Sequence, residues 1–432
     1  MFRFLVTRGL ALAICSVASF AHAVDEESPN ELAECLSVLG RKPDWSELEK
    51  YQDTMTHDEF VHLLNDVYCP QGYDPDLFEI GPEAVQILTK NGERTRFVLQ
   101  FAKSDEDCLQ PRDWWTAPAA LPAVDARRPL AGFHIALDPG HLGGPWAKME
   151  ERWFQIGHNA PVQEGDMTLR VAQLLAPRLQ SLGAKVSLLR NATEPVTPCR
   201  PSDFEDIARQ LLERSGIGDP REDFDGPADP AKEHTVAWQR EELFYRNSEI
   251  RHRADLVNGW LQPDLVLCLH FNAEAWGDPS RPTLVTKNHL HLLVNGSYLP
   301  AELDLDDERF EMLQKLLSRT FPEELALAGT LAQTMAKRTG LPPYRYTNGN
   351  AIPVDASGYV YARNLMATRL YRCPTIYLEP YVMNSREVFA RVKAGDYEGK
   401  RTIGGQTQPS IYREYVDSVV AGLLAYFKKN RP

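Results

Sequence analysis

The chain has 432 residues, 43% of them hydrophobic, so it can bury a large core and is long enough for two domains. Its formal net charge is −13. This acidic balance argues against nucleic acid and anionic membrane surfaces as partners, and any anionic substrate must be recognised at a specific site.

Residues 1–23 predict a secretory signal peptide. Arg3 and Arg8 precede an apolar span at 9–20, and an A-x-A sequence typical of a cleavage site follows. Lipid attachment at Cys15 is the weaker alternative, since a bulky isoleucine precedes this cysteine. The span is too short to cross a membrane and no longer one follows. We therefore expect an exported protein without a membrane span, periplasmic rather than extracellular.

The cysteines of the exported chain permit disulfides without requiring them. Of the seven cysteines, Cys15 leaves with the signal peptide, and an even number remains. Cys35 with Cys69 is the favoured bridge. Cys268 and Cys373 lie in or beside predicted buried strands, where packing thiols are expected. No C-x-x-C pair of the structural zinc type is present.

Residues 24–131 predict a small α+β module followed by a linker. Amphipathic patterns at 31–40 and 57–69 predict helices. Apolar runs on either side of the Asn91-Gly92 turn predict strands of a hairpin. We expect a packing or partner-docking module without chemistry. The linker contains Trp114-Trp115, which would either pack in the core or form a docking surface.

Residues 132–432 alternate strand and helix patterns, which predicts an α/β fold with a twisted, mostly parallel sheet covered by helices on both faces. Pro177 is expected to kink or restart the first long helix. Three segments are expected to be insertions: 145–163, 191–242 and 297–321. Strands are predicted at 133–137, 185–189, 265–269, 289–294 and 375–378, and helices at 166–182, 243–260, 304–317, 323–339 and 412–427.

Side chains able to bind a metal stand where these elements end or begin. His141, His270 and Glu379 follow or end apolar strands, and Glu164 opens a helix. In open α/β sheets, ligands bind at the carboxyl ends of the strands. Two imidazoles and one carboxylate make up the ligand set of a catalytic zinc. Glu379 would take a proton from water and return it to a leaving amine, so the pattern predicts metal-assisted amide hydrolysis.

The second ligand has competitors in the long segment after His141. Glu150 and Glu151 are alternatives to Glu164, which is preferred because it alone precedes a helical pattern. His158 in the same segment would be either a substrate contact or an ordinary surface histidine.

Other polar residues near these motifs have two interpretations each. Asp138 either shapes the loop before His141 or orients an imidazole. Asn272 either fixes its loop or meets substrate, and Arg251 either makes a structural ion pair or contributes to the site. Tyr377 and Tyr381 flank Glu379 on the same side of a strand, where aromatic packing is expected.

These motifs resemble the zinc-dependent N-acetylmuramoyl-L-alanine amidases of the family 3 type, which hydrolyse peptidoglycan. The resemblance covers about residues 132–426, through IALDPGHLGG, EGDMTLRVAQLLAPRLQSLGAKVSLLR, RHRADLVN with LCLHFNA, and PTIYLEPYVMNSREVF. It implies that His141, Glu164 and His270 bind one Zn²⁺ per chain and that Glu379 is the catalytic acid/base. It also implies the family's fold, a twisted, mostly parallel sheet between helices.

The implied reaction is cleavage of the amide bond between N-acetylmuramic acid and the L-alanine of the stem peptide. If an insertion covers the zinc, an activator protein is expected as a partner in addition to peptidoglycan. One alternative is a zinc peptidase that acts on wall peptides, although the HExxH motif of one large protease group is absent. Another is a non-catalytic wall-binding or regulatory protein, against which the four intact site residues argue.

Overall fold

The computed structural model describes residues 35–110, 113–123 and 126–432. The predicted signal peptide and Cys15 lie outside the described residues. Within them, no helix combines the length and apolarity needed to cross a membrane.

The module at the start of the chain is a three-stranded antiparallel sheet with helical turns. Its strands are β1 (Phe78–Ile80), β2 (Ala84–Leu88) and β3 (Arg96–Gln100), and its helix α1 (His57–His62) continues as a π-helical turn. The predicted hairpin is confirmed. The helix predicted at 31–40 is wrong for the described residues 35–40, which are irregular because Ser37 N donates to Asp307 Oδ1 (2.8 Å) and Cys35 and Leu39 have positive φ.

A mixed, mostly parallel sheet of seven strands forms the centre of the molecule. Its strands are β4 (His134–Pro139), β7 (Lys185–Leu188), β8 (Leu265–Leu269), β9 (Leu290–Val294), β10 (Ile352–Pro353), β11 (Val360–Ala362) and β12 (Thr375–Pro380). They lie in the order β10-β11-β9-β12-β8-β4-β7. Strands β7, β4, β8 and β12 are parallel, as predicted, whereas β9 is antiparallel to β12. Two separate antiparallel pairs are β5 (Trp153–Phe154) with β6 (Val162–Gln163), and β13 (Arg401–Ile403) with β14 (Gln406–Gln408).

Helices cover both faces of this sheet, because alternate strand residues point to opposite sides. The helices are α2 (Glu164–Ser181), α3 (Glu205–Arg214), α4 (Val236–Glu242), α5 (Glu249–Asp255), α6 (Pro300–Leu303), α7 (Asp306–Leu317), α8 (Thr320–Thr339), α9 (Met366–Leu370), α10 (Arg386–Lys393) and α11 (Ile411–Asn430). Ile135 and Leu137 pack with α2, α8 and α11, while Ala136 and Val266 pack with α5 and α9. Pro177 does not restart α2, which runs through it on the exposed side.

Two of the predicted insertions pack together as one body, here called the insertion unit (145–163 with 191–242). Phe204, Ile207 and Val236 form an apolar cluster with Leu142, and Trp146 packs against it. Lys232 also pairs with Glu151. The unit therefore rests directly on the loop that carries His141.

The third predicted insertion, 297–321, is a buried connector rather than a surface feature. Its helix α7 bonds to the N-terminal module through Arg309, whose Nε donates to Leu88 O at 3.0 Å. At its other end, fully buried Lys315 pairs with Glu324 at 2.7 Å. These contacts join the segment to the N-terminal module and to the helix that follows it.

The predicted Cys35–Cys69 disulfide is wrong, since both thiols are free. Cys69 is buried in the N-terminal module, whereas Cys35 Sγ points to Asn91 O at 3.9 Å. Cys268 and Cys373 are buried free thiols, as predicted. Trp114 and Trp115 pack against the apolar cluster that contains Ala136 and Val266, which supports their interpretation as core residues.

Candidate metal centre

The sheet and α2 bring the three predicted ligands together. His141 follows β4, His270 follows β8, and Glu164 is the first residue of α2. His141 Nε2 lies 3.5 Å from Glu164 Oε2, and His270 Nδ1 lies 3.2 Å from Glu164 Oε1. One ligand atom of each residue lies within 4.8 Å of the others. Parallel neighbours β4 and β8 end at the same edge, so the two imidazoles have to meet there.

Glycine at 140 permits this close approach. A Cβ atom at Gly140 would lie 2.0 Å from His270 Cε1, so any side chain would displace that imidazole. His141 itself has φ of 59°, a left-handed conformation that is uncommon for a non-glycine residue and that is found at functional sites. The sharp loop thus turns His141 back towards Glu164.

Glu164 shows that the cluster fits a cation. Its side chain is almost completely buried, and Oε2 has no hydrogen-bond partner among the described residues. Burial opposes its charge, yet His141, His270 and Arg152 lower the pKa of Glu164. A buried carboxylate oxygen without a hydrogen bond costs free energy that a cation would offset. Two nitrogen donors and one oxygen donor are a set that suits zinc.

Glu150 binds the other ring nitrogen of His141. Its Oε2 lies 2.9 Å from His141 Nδ1, and both carboxylate oxygens accept from Leu142 N at 3.1 Å. Glu150 is therefore not in the ligand cluster but holds the ring so that Nε2 faces Glu164. Glu151 pairs with Lys232 instead, and His158 is exposed.

Glu379 lies on β12 near the cluster and is half-buried. Burial and the Glu164 carboxylate raise its pKa, against the effect of Arg152 and Arg363. Tyr377, two residues earlier, stacks on the His270 ring at 3.9 Å and its hydroxyl lies 3.1 Å from His270 Nδ1. Tyr377 therefore positions a ligand as well as packing.

Two predicted residues do not touch the imidazoles. Asp138 accepts from Arg253 at 2.8 Å and from the Tyr371 hydroxyl at 2.7 Å, so it shapes the strand end and does not orient a ligand. Arg251 contacts Ser37 Oγ at 2.8 Å and Asp307 at 3.4 Å. Its ion pair joins α5 to α7, which agrees with the structural ion pair that was one of its two predicted roles.

The predicted packing role of Tyr381 and the loop role of Asn272 agree with their contacts. The Tyr381 hydroxyl donates to Glu414 at 2.8 Å. Asn272 Oδ1 accepts from Ala273 N at 2.6 Å, which fixes the loop after His270. The Asn272 amide also reaches His291 at 3.4 Å.

Sequence reasoning missed a polar group that the reversed strand β9 brings to this edge. His291 is the register partner of Glu379, and Tyr346 and Arg363 lie beside it. An antiparallel strand begins where its parallel neighbours end. The alternation His289-Leu290-His291 was the available signal, but it points to the site only once the direction of β9 is known.

Comparisons with known proteins give likenesses of fold at low identity. No family profile and no curated protein matches the chain. Among solved structures, it is similar to the N-acetylmuramyl-L-alanine amidase Ami1 from Mycobacterium smegmatis, with 16% identity over 69% of this chain and 99% of that chain and a TM-score of 0.38. It is also similar to the amidase AmiC2 of Nostoc punctiforme, with 14% identity over 69% of this chain and 99% of that chain and a TM-score of 0.35. A third similar structure is the CwlD amidase of Clostridioides difficile, solved in complex with the GerS lipoprotein. The identity is 10% over 69% of this chain and 100% of that chain, and the TM-score is 0.37.

Proposed function

We propose that this protein is an exported, zinc-dependent N-acetylmuramoyl-L-alanine amidase of the family 3 type, periplasmic and acting on peptidoglycan. The observation that carries the proposal is the convergence of His141, Glu164 and His270 around a buried carboxylate oxygen that has no hydrogen-bond partner among the described residues, with Glu379 nearby. The resemblance of the motifs indicates the bond that is cleaved, which is the amide bond between N-acetylmuramic acid and L-alanine.

The three ligands would hold one Zn²⁺, which would act as a Lewis acid on the scissile carbonyl and activate the attacking water. Burial lowers the pKa of His270 to about 4, which keeps this imidazole in the neutral form that binds metals. Glu150 orients His141, and Tyr377 supports the face of His270.

Glu379 moves the proton in this mechanism. Its carboxylate accepts a proton from the attacking water and passes it to the nitrogen of the leaving L-alanine, so the amide C–N bond breaks with a neutral amine as product. Burial and Glu164 favour the protonated form of Glu379, while Arg152 and Arg363 favour the carboxylate. These opposed effects suit a group that must both take up and release a proton near neutral pH.

Mass spectrometry of the soluble products tests the proposal. Mature protein, zinc-loaded or treated with a chelator, is incubated with purified peptidoglycan. We expect intact stem peptides with a free L-alanine amine, released only by the zinc-loaded sample. Shortened peptides would support the zinc peptidase instead. Folded, zinc-loaded protein that binds the wall but releases nothing would support the non-catalytic alternative.

An activator protein stays a conditional prediction, because it depends on an insertion that covers the metal. Among the described residues, the metal-binding group consists of His141, Glu164 and His270 alone. The insertion unit contacts this group through Glu150, which lies at Nδ1 of His141, whereas Nε2 of the same ring faces Glu164.

Glu150→Gln is expected to weaken zinc binding by about 10- to 100-fold, because the amide cannot accept from His141 and Leu142 as strongly as the carboxylate does. Competition with a chromogenic chelator measures the dissociation constant. Glu151→Gln is the matched control, since Glu151 pairs with Lys232 outside the cluster. Equal zinc affinity in both variants would show that Glu150 does not position the ligand.

A further inference from the structure

A group of hydrogen-bonding side chains lies beside Glu379 and has no part in the mechanism above. His291, 2% exposed, is the register partner of Glu379 on β9. Its Nε2 lies 3.0 Å from the Tyr346 hydroxyl. Arg363 Nη1 donates to the same hydroxyl at 3.4 Å, and its guanidinium lies over the Tyr346 ring, 5.6 Å from the centroid.

The direction of the hydrogen bonds follows from Asn272. Its Oδ1 accepts from Ala273 N at 2.6 Å, so its amide nitrogen faces His291 Nδ1 at 3.4 Å and donates to it. Burial lowers the pKa of His291 to about 3, so the ring is neutral and its single proton lies on Nε2. His291 therefore donates to Tyr346, whose oxygen accepts from both His291 and Arg363. The Tyr346 proton is left free to be donated outward.

Arg363 also has N–H groups that are available to donate to a ligand. It is half-buried, and among the described residues no carboxylate forms an ion pair with it. Glu379 is close enough for Arg363 to lower its pKa, yet the two side chains do not pair. Next to the proposed catalytic carboxylate, Tyr346 and Arg363 thus present a positive surface that carries only donors.

A carboxylate is the chemistry that such a surface recognises. Glu164, Glu150 and Glu379 concentrate negative charge at this edge, and the whole chain is acidic, so an anionic substrate group needs a local cation. In a stem peptide whose second residue is D-glutamate joined through its γ-carboxyl, the α-carboxylate is the free acid closest along the chain to the scissile amide. Two residues of extended chain, roughly 7 Å, separate the two groups.

We propose that Tyr346 and Arg363 form a subsite that binds the α-carboxylate of the second stem-peptide residue and selects substrates in which this group is not amidated. The subsite rests on the proposed function for its substrate. His291 and Asn272 are positioning residues, because they act through the Tyr346 hydroxyl.

A pair of muramyl dipeptides whose γ-carboxyl is blocked as the methylamide tests the subsite. Their second residue is D-glutamate in one and D-isoglutamine in the other, so the two differ only in the acid and its amide at the α-carboxyl. We expect the wild-type kcat/KM to favour the acid by about 10- to 100-fold, as for a charge-assisted hydrogen bond. Arg363→Gln should bring this ratio close to one, and Tyr346→Phe should reduce it by about 3- to 10-fold. Arg345→Gln, an exposed arginine of the same loop, should leave the ratio unchanged.

Binding to the zinc-loaded Glu379→Gln protein gives a second measurement that does not require turnover. Calorimetry should show the same preference for the acid, lost when Arg363→Gln is added. If the wild type hydrolyses neither dipeptide but this preference is present, the proposed reaction fails and the subsite stands. If Arg363→Gln leaves the acid-to-amide ratio unchanged, the subsite is overturned. This holds also if the substitution shifts the pH profile of turnover, because Arg363 lowers the pKa of Glu379.

Discussion

Glu379→Gln is expected to lower the rate of stem-peptide release by about 10²- to 10⁴-fold, the contribution typical of a general acid/base. Glutamine has nearly the same shape, so it fits the half-buried position on β12, but it cannot take the proton from water. The rate is followed by mass spectrometry with zinc-loaded protein. The zinc content and the thermal unfolding midpoint should match the wild type, because Glu379 lies outside the ligand cluster.

Glu398→Gln serves as the matched control, since Glu398 is a highly exposed carboxylate. Its turnover should equal that of the wild type. Normal turnover in Glu379→Gln would remove Glu379 from the mechanism. Loss of zinc together with activity would instead show that Glu379 supports the metal centre.

Lys315→Met is expected to lower the free energy of unfolding by about 3–5 kcal/mol, the usual effect of removing one partner from a buried ion pair. Lys315 and Glu324 both have 0% side-chain exposure and lie 2.7 Å apart. The ammonium also donates to Tyr371 O at 3.1 Å and Cys373 O at 2.9 Å, just before β12. The substitution would leave the Glu324 carboxylate buried without a cation.

Urea denaturation measures the change, and a double-mutant cycle assigns it to the pair. Adding Glu324→Leu should recover much of the lost stability, because both charges are then gone. Lys428→Met, near the exposed end of α11, should change the stability by less than about 0.5 kcal/mol. A small effect of Lys315→Met would mean that the pair does not hold α7 to the strand that carries Glu379.

The ligands of the candidate site could be predicted because local patterns position them. An apolar run interrupted by Pro139-Gly140 ends a buried strand and leaves His141 on the loop, and Glu164 precedes the apolar repeat of α2. Parallel strands then bring these ends to one edge without further information. The direction of β9 has no such local signal, since it depends on the path of the chain before and after it. His291, Tyr346 and Arg363 were missed for that reason.

The sequence also could not predict roles that depend on which residues, and which of their atoms, face the site. The spacing allows Glu150 as a ligand, but only the fold shows that it meets Nδ1 of His141. Arg251 and Arg253 are two residues apart on a helix, so their side chains diverge by roughly 200°. Arg253 reaches Asp138 at 2.8 Å, whereas Arg251 faces α7. An even number of cysteines likewise says nothing about which thiols are neighbours.

The insertion unit makes the candidate metal centre depend on a part of the chain that supplies none of its proposed ligands. Its apolar cluster includes Leu142, next to His141, and its Glu150 holds the His141 ring. Local unfolding of the unit would free that ring, and metal binding would in turn favour the folded unit, because linkage works in both directions. A metal at 100 times its dissociation constant adds about 2.7 kcal/mol against any unfolding that destroys the site. We therefore expect the resistance of the insertion unit to proteolysis to rise with metal supply.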